Sequence, residues 1–322
     1  MKRIFAVMLT LLMGVVLVAC GGTTEEGDYK PGLYLGYTDG HENTYAYVYV
    51  DAEGFIADVF IDTIYMKTDD EGPVSWEGRN GEVSGIATTK MSLDYGQGYD
   101  MRNDGLWWYE QVDLVAQNIV ENQGIIDYDL IDGDFDEDGD DVISGVTITV
   151  DGYLEAVGNA LSRAELGEDE SPSDFDVPSY DEGLDLTPGI HFGYTDGNEN
   201  TLGVIAVNEE GNIVYAIVDT VYLKTDDEGP LAWESRGNDV TGIATTKMSL
   251  DHGEGYDMRN DGYSWLEQTT MLMDDVVANQ GIIDYDIVDG DFDEDGDDVV
   301  AGVTITVSGY LEAIANAIAQ AE

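Results

Sequence analysis

The sequence predicts an α+β fold of two similar tandem domains, each a mainly antiparallel sheet with packed helices. Segments repeat throughout the chain at a constant offset of 157 residues, for example 88–94 and 245–251. In each copy, alternating or apolar runs come first and amphipathic helical patterns follow. A unit of about 135 residues has the size of a single domain and is too long for a solenoid repeat.

The N-terminus has the features of a lipoprotein signal. Lys2 and Arg3 precede an apolar run and a small-residue cleavage site ending at Cys20. The run is too short for a confident membrane span, which needs roughly 20 residues, although an uncleaved anchor is the alternative. We expect lipid attachment at Cys20 and a location at the cell surface, on the outer face of the cytoplasmic membrane. The expected parts are a signal peptide (1–19), a tether (20–28), a first domain (29–165), an acidic linker (166–186) and a second domain (187–322).

Composition excludes several classes of protein. Cys20 is the only cysteine, so the mature fold has no disulfide, zinc–thiolate site or Cys-x-x-Cys-His haem attachment. The chain has 68 acidic and 12 basic residues and a formal charge of −56, which repels nucleic acid and anionic membranes. Hydrophobic residues make up 43% and aromatics 10%, so the chain is not of the disordered class. The charge indicates adaptation to high salt; dense cation binding is the alternative.

The elements follow in order along each copy. Runs at 33–37, 44–51 and 55–64 predict strands, with a hairpin turn at 52–54. Helical spacing at 108–120 predicts the first helix of the copy. A second helical pattern, which recurs 157 residues later, consists of Val150, Tyr153, Leu154, Val157 and Leu161.

Directly before this second helix lies a repeated nonapeptide. It reads Asp-Val-Ile-Ser-Gly-Val-Thr-Ile-Thr at 141–149 and returns at 298–306 as Asp-Val-Val-Ala-Gly-Val-Thr-Ile-Thr. The β-branched run predicts a buried strand, and its Gly marks a bulge or a close approach. Thr147 and Thr304 would then lie where the strand gives way to a helix. The free N–H groups and dipole of a helix N-terminus suit a phosphate.

This nonapeptide with its following helix resembles the motif of the covalent FMN-binding domain family. In that family a flavin transferase links FMN to the last Thr of an Asp-x-x-[Ser/Thr]-Gly-Ala-Thr-like motif through a phosphoester bond. The resemblance implies Thr147 and Thr304 as the two acceptors. Two departures are Val146 and Val303 where Ala is usual, and Ala301 where the first copy has Ser144. The other motif positions are Asp141, Asp298, Ser144, Gly145 and Gly302.

The resemblance extends over most of each copy. Segments 96–102 and 253–259 are similar to a Tyr-Gly-Met-Lys-like segment of these lipoproteins, which precedes a helical Trp and Gln. The Trp and Gln are here Trp108 and Gln111, and a Thr-Thr-Lys segment at 88–90 also fits. A flavin ring needs apolar or aromatic contacts; ordinary core packing is the competing interpretation. Candidates for that contact are Tyr99, Met101, Tyr256 and Met258.

An acidic loop before each nonapeptide matches the start of a calcium loop, Asp-x-Asp-x-Asp-Gly. Oxygen ligands at alternate positions can converge on a hard cation. Gly145 and Gly302 occupy the place of the bidentate Glu, which excludes an EF-hand. A looser Ca²⁺ or Mg²⁺ site and a plain solvated turn both remain. The candidate ligands are Asp134, Asp136, Asp138, Asp291, Asp293 and Asp295.

The residues and the resemblance together lead to one functional expectation and one rival. We expect a surface-anchored electron-transfer flavoprotein with two covalent FMN groups, a carrier more than an enzyme with its own substrate. It would relay electrons from a quinone-linked membrane donor to extracellular acceptors, after modification by a flavin transferase. His41, His191 and His252 are not shared between copies, so a common chemistry cannot need them. The rival is an acidic cation-binding surface module without redox function.

Overall fold

A computed structural model provides the structure of the protein. It describes residues 26–38, 44–66, 68–69, 72–73, 87–92, 95–97, 99, 101–103, 105–136, 138–180, 183–195, 201–223, 225–226, 229–230, 244–249, 251–256, 258–293 and 295–322. The predicted signal peptide and Cys20 lie outside these residues. Within them, no helix is both long and apolar enough to cross a membrane.

The first half of the chain contains ten strands and two helices among the described residues. They are β1 (Gly32–Tyr37), β2 (Thr44–Val50), β3 (Ile56–Met66), β4 (Thr68–Asp69), β5 (Gly72–Pro73), β6 (Ala87–Thr89), β7 (Arg102–Asn103), β8 (Leu106–Trp107), α1 (Trp108–Asn122), β9 (Leu130–Ile131), β10 (Asp134–Phe135) and α2 (Asp151–Ala164).

The second half repeats this order at the same offset. Its elements are β11 (Gly189–Thr195), β12 (Thr201–Val207), β13 (Ile213–Leu223), β14 (Thr225–Asp226), β15 (Gly229–Pro230), β16 (Ala244–Thr246), β17 (Arg259–Asn260), β18 (Tyr263–Ser264), α3 (Trp265–Ala278), β19 (Ile287–Val288), β20 (Asp291–Phe292) and α4 (Ser308–Ala321). Single 3-10 turns lie at Pro172–Asp174 and Asp251–Gly253. The predicted α+β class is confirmed.

Each half is built on one four-stranded antiparallel sheet. The strand orders are β1-β2-β3-β6 and β11-β12-β13-β16. Both sheets shift register at the same place, between Tyr49 and Val50 and between Ala206 and Val207. Short connections explain the antiparallel pairing of β1 with β2 and of β2 with β3, whereas β6 reaches β3 through a longer segment that contains β4 and β5.

The second strand of each sheet is buried on both faces. Every residue of β2 and of β12 is buried. Because successive side chains point to opposite faces, Ala46 and Val48 join the core under the helices, whereas Tyr45 and Tyr47 join a different core. This second core lies between the two sheets.

The helices cover one face of each sheet, and glycine lets α2 approach it closely. A Cβ at Gly36 on β1 would lie 2.0 Å from the Ala156 carbonyl oxygen, and one at Gly193 would lie 2.2 Å from that of Ala313. Any side chain at these positions would push the helix away from the sheet.

The other faces of the two sheets pack against each other. Phe60 and Phe192 have ring centroids 4.5 Å apart. The Ile190 N–H donates to Asp58 Oδ2 across this contact at 2.6 Å. The buried residues of the shared core are Leu35, Tyr45, Tyr47, Phe60, Ile64, Leu202, Val204 and Val221. The two halves therefore form one packed unit.

The acidic segment between the halves contacts both of them at a few points. Glu170 forms an ion pair with Lys30 at 3.2 Å, and Pro172 is buried. The Tyr180 hydroxyl donates to the Val277 carbonyl of the second half at 2.8 Å. The composition of this acidic segment predicts a linker. The observed contacts hold the segment against both halves.

The predicted strand at 141–149 is wrong. No residue of this segment, or of 298–306, has strand structure. The segment keeps the alternation of a strand, with Val146 and Ile148 buried and Thr147 and Thr149 exposed. No strand of the described residues pairs with the segment; its Thr147 N–H and carbonyl bond to the side chains of Gln111 and Asn103 instead.

Candidate functional site

Each candidate site begins with a short hairpin that leads into a helix. In the first half β7 pairs with β8. The Trp108 N–H donates to the Met101 carbonyl at 3.0 Å. The Trp107 N–H donates to the Glu110 carboxylate at 2.7 Å, which satisfies one free group at the start of α1. The hairpin and the first turn of α1 are therefore fixed to each other.

The nonapeptide turns at its glycine to lie against this hairpin. Gly145 has φ +91° and Gly302 has φ +89°, which is left-handed backbone that favours glycine. A Cβ at Gly145 would lie 3.2 Å from Leu106 Cδ1, and one at Gly302 would lie 3.2 Å from Met271 Sδ. The motif glycines thus have a backbone role at a close approach.

The proposed acceptor Thr147 is held by a buried glutamine from α1. The Thr147 N–H donates to Gln111 Oε1 at 2.7 Å, and the Thr147 hydroxyl donates to the same oxygen at 3.2 Å. Gln111 is fully buried, whereas Thr147 is exposed. A second link joins the Asn103 side-chain amide to the Thr147 carbonyl at 3.3 Å.

The second half repeats this arrangement. Gln268 Oε1 accepts the Thr304 N–H at 2.7 Å and the Thr304 hydroxyl at 3.2 Å. The Asn260 amide donates to the Thr304 carbonyl at 3.2 Å. Replacement of Ser144 by Ala301 therefore leaves the geometry around the second threonine unchanged.

An aromatic cluster with a buried lysine lies one helical turn from Gln111. The Tyr99 and Trp108 rings meet edge to face, with centroids 5.5 Å apart. Lys90 Nζ lies 4.7 Å from the Tyr99 ring centroid and 5.1 Å from that of Trp108. The side chain is 3% exposed, so an ammonium group is stabilised there by aromatic faces. Met101 is half-buried against the same core.

The twin cluster has the same components. Tyr256 and Trp265 have centroids 5.6 Å apart, Lys247 Nζ lies 4.7 Å from the Tyr256 ring centroid, and Met258 packs on that core. Tyr99, Met101 and their twins, which are the candidate flavin contacts, are thus half-buried. They lie beside the helix that also carries the glutamine bonded to the acceptor threonine.

The aspartates of the nonapeptide motif take no part in the Gln–Thr contact. Asp141 and Asp298 are exposed. Their backbone N–H groups donate to the carboxylates of Asp129 and Asp286, at 3.2 and 3.1 Å. Among the described residues no hydrogen bond joins either motif acid to its threonine. Ser144 is also exposed. These residues shape the turn that enters the nonapeptide, at a distance from the Gln–Thr contact.

The acidic loops fold by their own hydrogen bonds. Asp136 Oδ1 accepts the Asp138 N–H at 3.0 Å, and Asp129 Oδ2 accepts the Asp140 N–H at 2.9 Å. Asp134 lies on the exposed hairpin β9–β10. In the part of the chain that the structure describes, no three His, Cys, Asp or Glu side chains converge as metal ligands. Cation binding by these loops, or by their twins at Asp291, Asp293 and Asp295, stays a prediction.

The helix after each nonapeptide begins later than the acceptor. Val150 is the N-cap of α2, so Thr147 precedes the first helical residue by four positions. The Asp151 carboxylate accepts the Gly152 N–H at 2.7 Å. One N–H of the first helical turn is therefore already bonded to a carboxylate. The negative charge of that carboxylate also disfavours the binding of an anion at the start of α2. In α4 the corresponding residue is Ser308, so the phosphate setting predicted from the sequence is better in the second half.

The direct contact of Gln111 with Thr147 could not be read from the sequence. The available signal was a glutamine on the otherwise apolar face of α1, between Trp108 and Val115. Such a buried amide requires hydrogen-bond partners, but spacing alone does not say which ones.

Comparison with protein-family models, with curated proteins and with solved structures finds no match for this chain. The candidate sites stand on their own geometry.

Proposed function

We propose that the protein is a surface-anchored electron-transfer flavoprotein that carries FMN covalently on Thr147 and Thr304. The observation that carries this proposal is the duplicated contact in which an exposed threonine hydroxyl is held by a fully buried glutamine. The same distances recur in both copies, whose loops before the threonine are nearly identical in sequence. An exposed hydroxyl held by a fully buried amide favours a chemical role for that hydroxyl.

The surrounding residues fit a covalent flavin. The acceptor hydroxyl is exposed and can be reached by a flavin transferase. Tyr99 and Met101 provide half-buried aromatic and apolar surface, of the kind a flavin ring contacts. Lys90 adds a positive charge to a strongly acidic molecule, which reduces the repulsion of a phosphate group. When bound, FMN would supply the redox chemistry.

The setting of the carrier follows from the sequence. A lipid on Cys20 would hold it at the outer face of the cytoplasmic membrane. A quinone-linked membrane donor would reduce it, and extracellular acceptors would oxidise it. A covalent link suits this place, because a free cofactor would diffuse away and the charge of −56 repels a free phosphate. No substrate of its own is proposed.

The test is mass spectrometry of the chain co-expressed with a flavin transferase in a secretory host. We expect two FMN additions, each minus one water, and yellow colour. Thr147→Ala and Thr304→Ala should each remove one addition, and the double variant should be colourless. Thr149→Ala is the matched control, since Thr149 is an exposed threonine of the same segment, and it should keep both.

A wild-type chain that stays unmodified by an active transferase would refute the proposal. One addition, at Thr147 alone, would mean that the Ala301 copy has lost its acceptor role. If the unmodified chain also loses its melting transition on adding a chelator, the cation-binding alternative gains support.

A further inference from the structure

We infer that Gln111 and Gln268 are positioning residues that select Thr147 and Thr304 for modification by orienting their hydroxyl groups. This inference rests on the proposed function and deepens it. It concerns why one threonine is chosen over a second, Thr149 or Thr306, that lies two residues further along the same exposed edge.

The orientation of the Gln111 amide is fixed by its surroundings. Gln111 Nε2 donates to the Leu106 carbonyl at 3.2 Å and to the Asn103 carbonyl at 3.5 Å. Two carbonyl oxygens require the NH₂ end, so Oε1 faces Thr147. The same holds for Gln268, whose Nε2 donates to the Tyr263 and Asn260 carbonyls.

This fixed oxygen orients the threonine hydroxyl. Because the Thr147 hydroxyl proton points at Gln111 Oε1, the lone pairs of Oγ1 point away from the buried amide, towards solvent. The hydrogen bond from the Thr147 hydroxyl to Gln111 Oε1 is long, at 3.2 Å. It therefore orients the hydroxyl but restrains it only weakly. The Thr147 N–H, at 2.7 Å, anchors the backbone at the same oxygen.

The neighbouring threonine lacks such a partner. Thr149 is exposed, and among the described residues no hydrogen bond reaches its hydroxyl. No such bond orients the Thr149 hydroxyl, and an attack from Thr149 must first restrict the rotation of that hydroxyl. The difference between the two threonines lies in the glutamine and not in exposure.

The transfer step balances with a flavin dinucleotide as donor. A bond forms between Thr147 Oγ1 and the phosphorus on the FMN side, and the bridging phosphorus–oxygen bond breaks. AMP leaves with the electron pair, and the hydroxyl proton is released. The ester oxygen can no longer donate, but Gln111 Oε1 keeps the Thr147 N–H, so the product leaves no buried acceptor without a partner.

The test uses the second half of the same chain as an internal standard. Gln111→Met keeps the side-chain length and removes the acceptor oxygen, whereas Gln111→Glu keeps an oxygen there. In the unmodified full chain, Gln111→Met should raise the hydrogen-exchange rate of the Thr147 amide about tenfold, with the Thr304 amide unchanged. With the transferase, early in the reaction, it should lower the ratio of flavin on Thr147 to flavin on Thr304 about tenfold.

The conservative variant separates positioning from packing. In this buried site Gln111→Glu should stay protonated, so that its O–H donates to the Leu106 carbonyl and its other oxygen accepts from Thr147. The ratio should then stay within about threefold of wild type, and the reciprocal Gln268→Met should shift it in the opposite direction. Near-ultraviolet circular dichroism checks that both variants are folded. The inference would be overturned if the flavin ratio were unchanged in Gln111→Met, or if Gln111→Glu lowered the ratio as much as Gln111→Met. If Gln111→Met does not fold, Gln268→Met and the Gln111→Glu ratio decide. A wild-type chain without flavin would instead sink the proposed function.

Discussion

At the scale of single residues, a buried hydrogen bond ties the site helix to the helix after the nonapeptide. The Trp108 indole N–H donates to the Tyr153 hydroxyl at 2.8 Å, and Trp265 donates to Tyr310 at the same distance. Both tryptophans are 1% exposed. An indole N–H has no other way to be satisfied at such depth.

Replacing Tyr153 by Phe should therefore destabilise the protein by about 1–3 kcal/mol, because the buried indole N–H loses its acceptor. Tyr310→Phe should cost a similar amount. Urea unfolding at constant salt measures both. Tyr263→Phe is the control, since Tyr263 is 40% exposed and should change stability by less than about 0.5 kcal/mol. Equal effects in Tyr153→Phe and the control would contradict the argument.

At the scale of the elements, β3 and β13 each direct an aspartate into the core between the sheets. Asp62 accepts the Tyr45 hydroxyl at 2.7 Å and two backbone N–H groups. Asp219 accepts two backbone N–H groups through Oδ1, while its Oδ2 has no hydrogen-bond partner among the described residues. Burial raises the pKa of each carboxyl to about 6. Hydrogen bonds to the carboxyls oppose this rise in pKa, as does the charge of Lys247 in the case of Asp219.

These two groups make stability depend on pH. Their folded pKa values exceed the ordinary aspartate value of 3.8, so between about pH 4 and 6 the folded state binds more protons than the unfolded state. The free energy of unfolding should therefore fall as pH rises through this window and level off above it. The loss is at most roughly 3 kcal/mol for each carboxyl.

The double variant Asp62→Asn with Asp219→Asn should make this slope shallower. Part of the slope should remain, because burial also raises the pKa of Asp58 to about 6. Urea unfolding from pH 4 to 7 in 2 M NaCl measures it, with salt present to screen surface carboxylates. Glu121→Gln with Glu312→Gln removes two exposed charges instead and should leave the slope as in wild type. If the double aspartate variant kept the wild-type slope, Asp62 and Asp219 would not be the cause of the pH dependence.

At the scale of the whole molecule, the sheet-to-sheet core must withstand a formal charge of −56. Like charges repel within the compact state, and salt reduces the range of that repulsion from about 10 Å at 0.1 M to 3 Å at 1 M. The surface supplies few cations to compensate, and the Lys30–Glu170 pair at 3.2 Å is solvent-exposed, where such pairs contribute little.

The thermal midpoint should accordingly rise when NaCl is increased from 0.1 to 2 M. Release of about 2 kcal/mol of repulsion would raise it by roughly 5 °C. Differential scanning calorimetry measures this, and sucrose at equal osmolality controls for solute exclusion. A midpoint that stays constant or falls with salt would argue against adaptation to high salt.

Much of this molecule could be predicted from local pattern. Period-two and 3.6-residue spacing gave strands and helices close to those observed, such as α1 at Trp108–Asn122 for the predicted 108–120. The constant offset predicted two similar halves. The nonapeptide was misread as a strand because burial alternates along it, and alternation alone does not show whether a neighbouring strand is present to pair.

The sequence by itself determined most of the long strands and helices and the duplication, because each depends on spacing along the chain. The two candidate threonines rest on the family resemblance. Only the tertiary structure decided which groups meet across long separations. It joined Gln111 to Thr147. It also placed Tyr47 beside Asp219 of the other sheet, and burial together with the Asp219 charge raises the pKa of that tyrosine. A buried polar group takes its partner from whatever element folds against it, and that element can lie far away in sequence.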